Sequence, residues 1–173
     1  MTARSGIRAV AIDVDGVLTD GTFWWGPDGQ EWKRFSFRDV MGVSRALRSG
    51  LIIAMISGED SPLVDRFAMK MGIEDVFKGC KDKARALRDF ARRRGLDLSE
   101  IAFMGDDVND LEAMHLAGLA AAPANAEESV RAHAQFVSQR DGGHGAVREL
   151  LEHLIERSRS KGQQDNRAAS PDL

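Results

Sequence analysis

The chain has 173 residues, with 24 Lys and Arg against 27 Asp and Glu, a formal net charge of -3 and one cysteine. That length suits a single compact domain, and the weakly acidic balance lacks the cationic footprint of a nucleic-acid binder. No apolar run nears the ~20 residues that span a bilayer, residues 1–6 do not have the form of a secretory signal, and Cys80 alone cannot close an intrachain disulfide, so a cytoplasmic setting is expected.

Residues 7–12 form a short apolar run rich in branched side chains, the mark of a strand buried on both faces. A strong turn signal, Gly26-Pro27-Asp28-Gly29, then lies between Phe23-Trp24-Trp25 and Trp32-Lys33-Arg34-Phe35, which predicts a β-hairpin flap over about 19–37. Val40, Val43 and Leu47 recur at helical spacing, and residues 51–56 read as a second strand. Ser61-Pro62 looks like an N-cap followed by a first-turn proline, opening a helix whose stripe is Leu63, Val64, Phe67 and Met71. Val76-Phe77 is a weaker strand. Ala84, Leu87 and Ala91 mark a helix that runs into Arg92-Arg93-Arg94 and stops at Gly95, with its cations at the negative end of the dipole. Residues 101–104 are a third clear strand, 119–122 and 136–137 weaker ones, and Val147, Leu150, Leu151 and Leu154 line a last helix. Alternating β and α units predict a doubly wound, Rossmann-like parallel sheet occupying residues 1–157. Residues 158–173 are polar and aperiodic and read as a disordered tail.

Ligands of open α/β sheets bind beyond the carboxyl ends of the strands, so the residues that follow each strand matter most. Asp13, Asp15 and Gly16 follow the first, Ser57-Gly58-Glu59 the second, and Asp106, Asp107 and Asp110 the third, with Lys81 and Lys83 after a turn at Gly79. Carboxylates held together resist ionisation unless a cation neutralises them, and an all-oxygen set with few protein donors suits Mg²⁺. A strand-end carboxylate can act as a nucleophile on phosphorus, a second can move protons, and a hydroxyl and an ammonium can hold the phosphoryl oxygens.

The run Asp13-Val14-Asp15-Gly16-Val17-Leu18-Thr19, then Ser57, Lys83 and Gly105-Asp106-Asp107-Val108-Asn109-Asp110, resembles in order the four motifs of the haloacid dehalogenase superfamily of phosphohydrolases. The resemblance implies that Asp13 is nucleophile and metal ligand, and that Asp15 is general acid/base and metal ligand through its carbonyl. It further implies that Ser57 and Lys83 bind phosphate, that Asp106 completes the protein ligands of Mg²⁺, and that Asp107 and Asp110 orient the metal's waters or Lys83. The intervals between motifs hold no inserted cap domain. Capless members of this superfamily assemble so that one subunit's hairpin borders another's site, and the tryptophan-rich hairpin fits that need.

Within the superfamily, Asp15 to Thr22, Phe35-Ser36-Phe37-Arg38-Asp39, Gly79 to Lys83 and Gly142-Gly143-His144-Gly145-Ala146-Val147-Arg148-Glu149 are similar to phosphatases of 3-deoxy-D-manno-octulosonate 8-phosphate and their nine-carbon relatives. This resemblance implies a homotetramer that hydrolyses the terminal phosphate of a 2-keto-3-deoxy sugar acid on the route to lipopolysaccharide or another surface glycan. It makes Arg38, Gly58, Glu59, Lys70 and Arg148 candidate substrate contacts. Glu59 with Lys70 matches the nine-carbon group, whereas Arg38 matches the eight-carbon one. Glu59 stands where eight-carbon enzymes carry arginine, a reversal of charge that tilts the reading toward nine carbons. A non-catalytic oligomerisation module, like the domains fused to cytidylyltransferases, and a phosphatase of other small sugar phosphates are the rival readings.

Other motifs fail on their own terms. A calcium loop at Asp13 would need an oxygen ligand at Val17 and a glycine at Leu18. Gly142-Gly143-His144-Gly145 lacks the last glycine of a dinucleotide loop, and no phosphate-binding P-loop occurs. His115, His133, His144 and His153 lack metal-ligand spacing, and Cys80 has no adjacent histidine; only His144 has a position that argues for the site.

Overall fold

The computed structural model describes residues 6–168. Six parallel strands, β1 (Ala9–Ile12), β4 (Ile52–Ile56), β5 (Asp75–Phe77), β6 (Ile101–Met104), β7 (Leu119–Ala122) and β8 (Phe136–Val137), form one sheet in the order β5-β4-β1-β6-β7-β8. Ala9 pairs with Ile52 on one side and Ile101 on the other, so β1 lies near the middle, with both faces covered. The chain builds outward from β1 through β4 and β5, then returns to β6 and builds the other way. That places a topological switch point between β1 and β6.

Successive residues of β1 serve different cores, because side chains alternate across a strand. Val10 and Ile12 pack with α1 (Phe37–Arg48), α2 (Pro62–Met71) and α6 (Ala146–Ala168) through Val43, Val64, Phe67, Val147, Leu150 and Leu151. Ala9 and Ala11 face α3 (Lys83–Arg94), α4 (Leu111–Leu116) and α5 (Glu128–His133) through Leu87, Phe90, Met114 and Val130. The doubly wound sheet expected from the sequence is therefore borne out. The helix ends follow local chemistry. Ser61 Oγ accepts from Leu63 N ahead of Pro62, and Gly95 closes α3 in the left-handed region at φ 61°.

Three details differ from expectation. The hairpin's paired strands are only β2 (Trp24–Trp25) and β3 (Glu31–Trp32), joined by the turn in which Gly29 N donates to Gly26 O. The helices α4 and α5 have six residues each, too few for an apolar period to stand out in sequence. Helix α6 continues past Ser158 to Ala168, where an irregular tail had been expected, because a helix satisfies its own backbone and can run on from a packed base without a core beneath it. Residues 169–173 of that expected tail lie outside the described residues. No helix among the described residues is long and apolar enough to cross a membrane.

Candidate active site

Three of the motifs begin one residue beyond a strand, and a ladder bond that outlasts the strand holds each of those first residues. Asp13 N donates to Met104 O at 3.0 Å, Ser57 N to Phe77 O at 2.8 Å and Gly105 N to Ala121 O at 3.1 Å. Cys80 N then donates to Ser57 O at 3.0 Å, which brings the start of α3 over the same sheet edge. Lys83 consequently lies in the first turn of α3, where the helix dipole disfavours a cation. Two carboxylates compensate: its Nζ is 3.0 Å from Asp13 Oδ1 and 2.7 Å from Asp110 Oδ1.

Asp110 is fully buried. Its Oδ2 accepts from the backbone N–H groups of Asp106 and Asp107 at 3.0 and 3.3 Å, while Oδ1 holds Lys83. Carboxyl oxygens of Asp13, Asp106 and Asp110 all lie within 4.8 Å of one another. Burial, then the Asp110 carboxylate, drives the Asp13 carboxyl well above its ordinary range, and the same causes push Asp106 up to about 6. Burial works against the charge of Lys83, but Asp13 and Asp110 outweigh it and raise its pKa.

Three carboxylates around one ammonium leave two negative charges uncompensated, and Asp106 Oδ1 is buried without a hydrogen-bond partner. A small, hard divalent cation such as Mg²⁺ answers both. Asp13 and Asp106 are the side chains able to hold it, since both oxygens of Asp110 are already engaged. Gly16 (φ 91°) packs the loop against this pair: a Cβ there would lie 1.9 Å from Asp106 Oδ2. Any side chain at residue 16 would fill the space beside the carboxylate.

The other expected residues divide. Asp15 is on the same loop, one-third exposed, with Oδ1 accepting from Lys33 Nζ at 2.6 Å. Ser57 is buried and its Oγ accepts from Glu59 N, which leaves the hydroxyl proton to donate. Gly58 lies alongside, with the Lys83 Cε 4.0 Å from where its Cβ would be. Asp107 turns away from the cluster and caps Val108 N, so it supports the loop rather than Lys83. Arg38 and Arg148 meet at a cavity of about 730 Å³ that also takes in Arg140 and Gly145. Glu59 lines a separate cleft between the hairpin and the start of α2. Lys70 is not with it: the lysine sits in the last turn of α2 over the Phe37 ring, about 13 Å further along the helix axis than Ser61.

Sequence reasoning missed the groups that fasten the hairpin and α6. Lys33 alternates with the outward Trp32, and its side chain is almost wholly buried. The next residue, Arg34, bonds Asp20 Oδ2 at 3.0 Å and His144 Nε2 at 2.8 Å. Arginine can only donate, so His144 Nε2 accepts and Nδ1 carries the proton toward Gly142 O, 2.9 Å away. Asp39 is buried, which raises its pKa, and it accepts from Gly145 N and Arg148 N at the start of α6. The strand alternation of Glu31, Trp32 and Lys33 was the available signal; nothing local pointed to Asp39. The Cys80 thiol is pushed up by burial and donates to Lys78 O, as suits a structural cysteine.

Comparison with known proteins decides the family. Residues 48–150 match the haloacid dehalogenase-like hydrolases. The 3-deoxy-D-manno-octulosonate 8-phosphate phosphatase KdsC of Salmonella typhi is 36% identical over 155 residues, 90% of this chain and 82% of that protein. The chain belongs to the haloacid dehalogenase-like hydrolases, among the relatives of KdsC. It is a phosphoric monoester hydrolase. A crystal structure of the corresponding phosphatase from Moraxella catarrhalis, in complex with magnesium ion, phosphate ion and KDO, is 38% identical with a TM-score of 0.85, covering 88% of this chain and 87% of that one. The cobalt-bound form of the Haemophilus influenzae phosphatase is 34% identical with a TM-score of 0.85, covering 88% and 89%. As in a capless member of the family, no second domain lies over the sheet edge among the described residues.

Proposed function

We propose that this phosphatase uses Mg²⁺ and a phospho-Asp13 intermediate to hydrolyse the terminal phosphate of a 2-keto-3-deoxy sugar acid. The observation that carries this reading is the buried group of Asp13, Asp106 and Asp110 around Lys83, with Asp106 Oδ1 lacking a protein partner. The cation, held by Asp13, Asp106 and the Asp15 carbonyl, supplies charge neutralisation at the transferring phosphoryl group. Ser57 Oγ–H and Lys83 Nζ hold phosphoryl oxygens. An Asp13 carboxylate oxygen forms a bond to phosphorus as the bond to the sugar oxygen breaks, and Asp15 gives that oxygen its proton. Asp15 then takes a proton from water as the water oxygen attacks phosphorus. The bond from phosphorus to Asp13 breaks, releasing phosphate and restoring both carboxyl groups to their starting states.

The eight-carbon 8-phosphate is the favoured substrate. KdsC-type relatives support it, as does the cavity shared by Arg38 and Arg148, where a substrate carboxylate can meet the Arg38 guanidinium and the Arg148 nitrogens that Glu152 does not hold. Lys70, distant from Glu59 in one protomer, weakens the case for the nine-carbon pair. Glu59 in its cleft beside the hairpin favours a second reading, a nine-carbon 9-phosphate, whose longer polyol tail would reach it. The half-exposed or more exposed rings of Phe23, Trp24, Trp25 and Trp32 support a homotetramer in which the hairpin covers a neighbour's site. A cytoplasmic place ahead of lipopolysaccharide assembly follows from that substrate.

Phosphate release with Mg²⁺ from the eight-carbon 8-phosphate, nine-carbon 9-phosphates and simple sugar phosphates tests the reading. Preference for the eight-carbon compound is expected. Preference for nine carbons, abolished by Glu59→Ala, would install the second reading. Absence of turnover on every compound would favour a non-catalytic assembly module.

A further inference from the structure

The hairpin is anchored by something other than its own ladder. Only Trp24 with Trp32 and Trp25 with Glu31 pair across it, and an isolated hairpin is marginal even when longer. Its return strand is instead fastened from beneath. The Lys33 side chain is only 3% exposed, with Nζ 2.6 Å from Asp15 Oδ1 and 3.5 Å from Glu31 Oε1. Glu31 Oε1 in turn accepts from Ser61 Oγ at 3.1 Å, the N-cap of α2. The neighbouring ring of Phe35 stacks on Phe67 at 4.6 Å between centroids.

A buried lysine beside carboxylates is an ordinary structural ion pair in most proteins. Two features set this one apart. The ammonium is the buried member while its partner Asp15 is one-third open, so the pair orders the carboxylate rather than the lysine completing a core. The turn's own hydrogen bonds, Thr19 N to Val14 O and Gly16 N to Thr19 Oγ1, hold its backbone but not the Asp15 side chain, which leaves the chain at φ -80°, ψ 117°, where the helical pattern is broken ahead of left-handed Gly16. Oδ1 is the only side-chain oxygen of Asp15 with a protein partner among the described residues, which leaves Oδ2 to meet the reacting oxygen.

We infer that Lys33, reaching in from the hairpin, is the positioning residue for Asp15. It holds Oδ1 so that Oδ2 is presented to the leaving and attacking oxygens, and it makes the alignment of the proton-transfer group depend on the seating of the hairpin. The inference rests on the acid/base reading of Asp15. The Lys33 ammonium meets the side chains of Asp15 and Glu31, whereas the phosphate is assigned to Ser57 and Lys83 and the cation to Asp13, Asp106 and the main-chain carbonyl of Asp15.

The test compares wild type, Lys33→Met, Lys33→Arg, Asp15→Asn and the double variant Lys33→Met/Asp15→Asn on two substrates. One is an alkyl sugar phosphate, whose leaving oxygen needs a proton. The other is p-nitrophenyl phosphate, whose leaving group departs without one. For Lys33→Met, kcat on the sugar phosphate is expected to fall about 10- to 100-fold with KM and the Mg²⁺ half-saturation near wild type. The initial burst of p-nitrophenol should stay within about threefold of wild type, because that step uses no acid. Lys33→Arg should restore most of kcat, since a guanidinium can reach the same oxygen, and it keeps the test open if Lys33→Met folds poorly. Adding Lys33→Met to Asp15→Asn should cost nothing further.

Equal losses of Lys33→Met in the presence and absence of the Asp15 carboxylate would overturn the inference and make Lys33 a hairpin fastener. A rise in KM or in Mg²⁺ half-saturation at unchanged kcat would overturn it likewise. If Asp15→Asn itself kept the wild-type rate on the sugar phosphate, the acid/base reading would fall first, and that result is read independently of Lys33.

Discussion

The carboxylate cluster and the hairpin are close in sequence and obey different physics. Asp13 follows a strand whose four residues are all fully buried, and its partners arrive on backbone already committed to ladder bonds. The hairpin begins about ten residues later, exposes three tryptophans and pairs two residues per strand. Groups that carry charge through a reaction gain from a rigid, dry setting, where electrostatic interactions are strong and need no rearrangement. An element that meets substrate or a second subunit gains from being a separate, adjustable piece. Lys33 is where the two regimes touch, since it belongs to the exposed element and ends in the buried one.

Removing the nucleophile should give the largest effect. Asp13→Asn is expected to lose phosphate release entirely while circular dichroism and elution volume stay unchanged; turnover above about a hundredth of wild type would show that Asp13 is not the nucleophile that attacks phosphorus. Lys83→Met strips the one ammonium from the cluster. It should lower kcat about 10²- to 10³-fold. Measured without divalent cation, it should also cost about 3 kcal/mol in urea unfolding, the scale of a broken buried pair. An unchanged urea midpoint would argue that the cluster is wetter and softer than its burial indicates.

The pH response sharpens the contrast further. Burial and Asp110 push Asp106 up to about 6, and burial holds Asp13 above its ordinary range. The metal-free folded state therefore binds protons that the unfolded chain releases, so these groups favour folding at low pH. For Asp106 that advantage is lost as pH rises from about 4 through 6, and Asp13 acts in the same direction. A divalent cation needs the ionised carboxylates, so its stabilisation grows across the same interval. A fixed Mg²⁺ concentration should raise Tm more at pH 8 than at pH 5, and equal gains would place the cation elsewhere.

The smallest effect belongs to the hairpin surface. Trp25 is 70% exposed, and Trp25→Ala should leave the unfolding free energy of a single protomer within about 0.5 kcal/mol. Sedimentation should nevertheless shift toward smaller species if this face joins subunits. A large loss of protomer stability would erase the distinction between the two regions.

Much of this molecule was legible in its sequence. Short branched apolar runs marked the sheet, because strands buried on both faces need no alternation to betray them. The strand-end rule then brought Asp13, Ser57 and Asp106 to one edge from positions 93 residues apart. Lys83 was legible by its motif, although its place at a helix start, against the dipole, makes sense only beside Asp13 and Asp110. Glu59 and Lys70 look like a pair in one dimension and are separated by the length of α2 in three. Helices α4 and α5 are too short for a period to declare itself, and the continuation of α6 depends on the packed base from which it runs.

What the sequence determined by itself was local or periodic: the α/β alternation, the caps at Ser61 and Gly95, and the order of the acidic motifs. Only the tertiary structure decided which groups share a proton or a charge. Asp39 reaches across 106 residues to Gly145, Arg34 across 110 to His144, and Lys33 across 18 to Asp15. Propensity and spacing act along the chain and can be read there. A hydrogen bond or an ion pair depends on separations of about 3 Å between atoms that meet only once the sheet has closed.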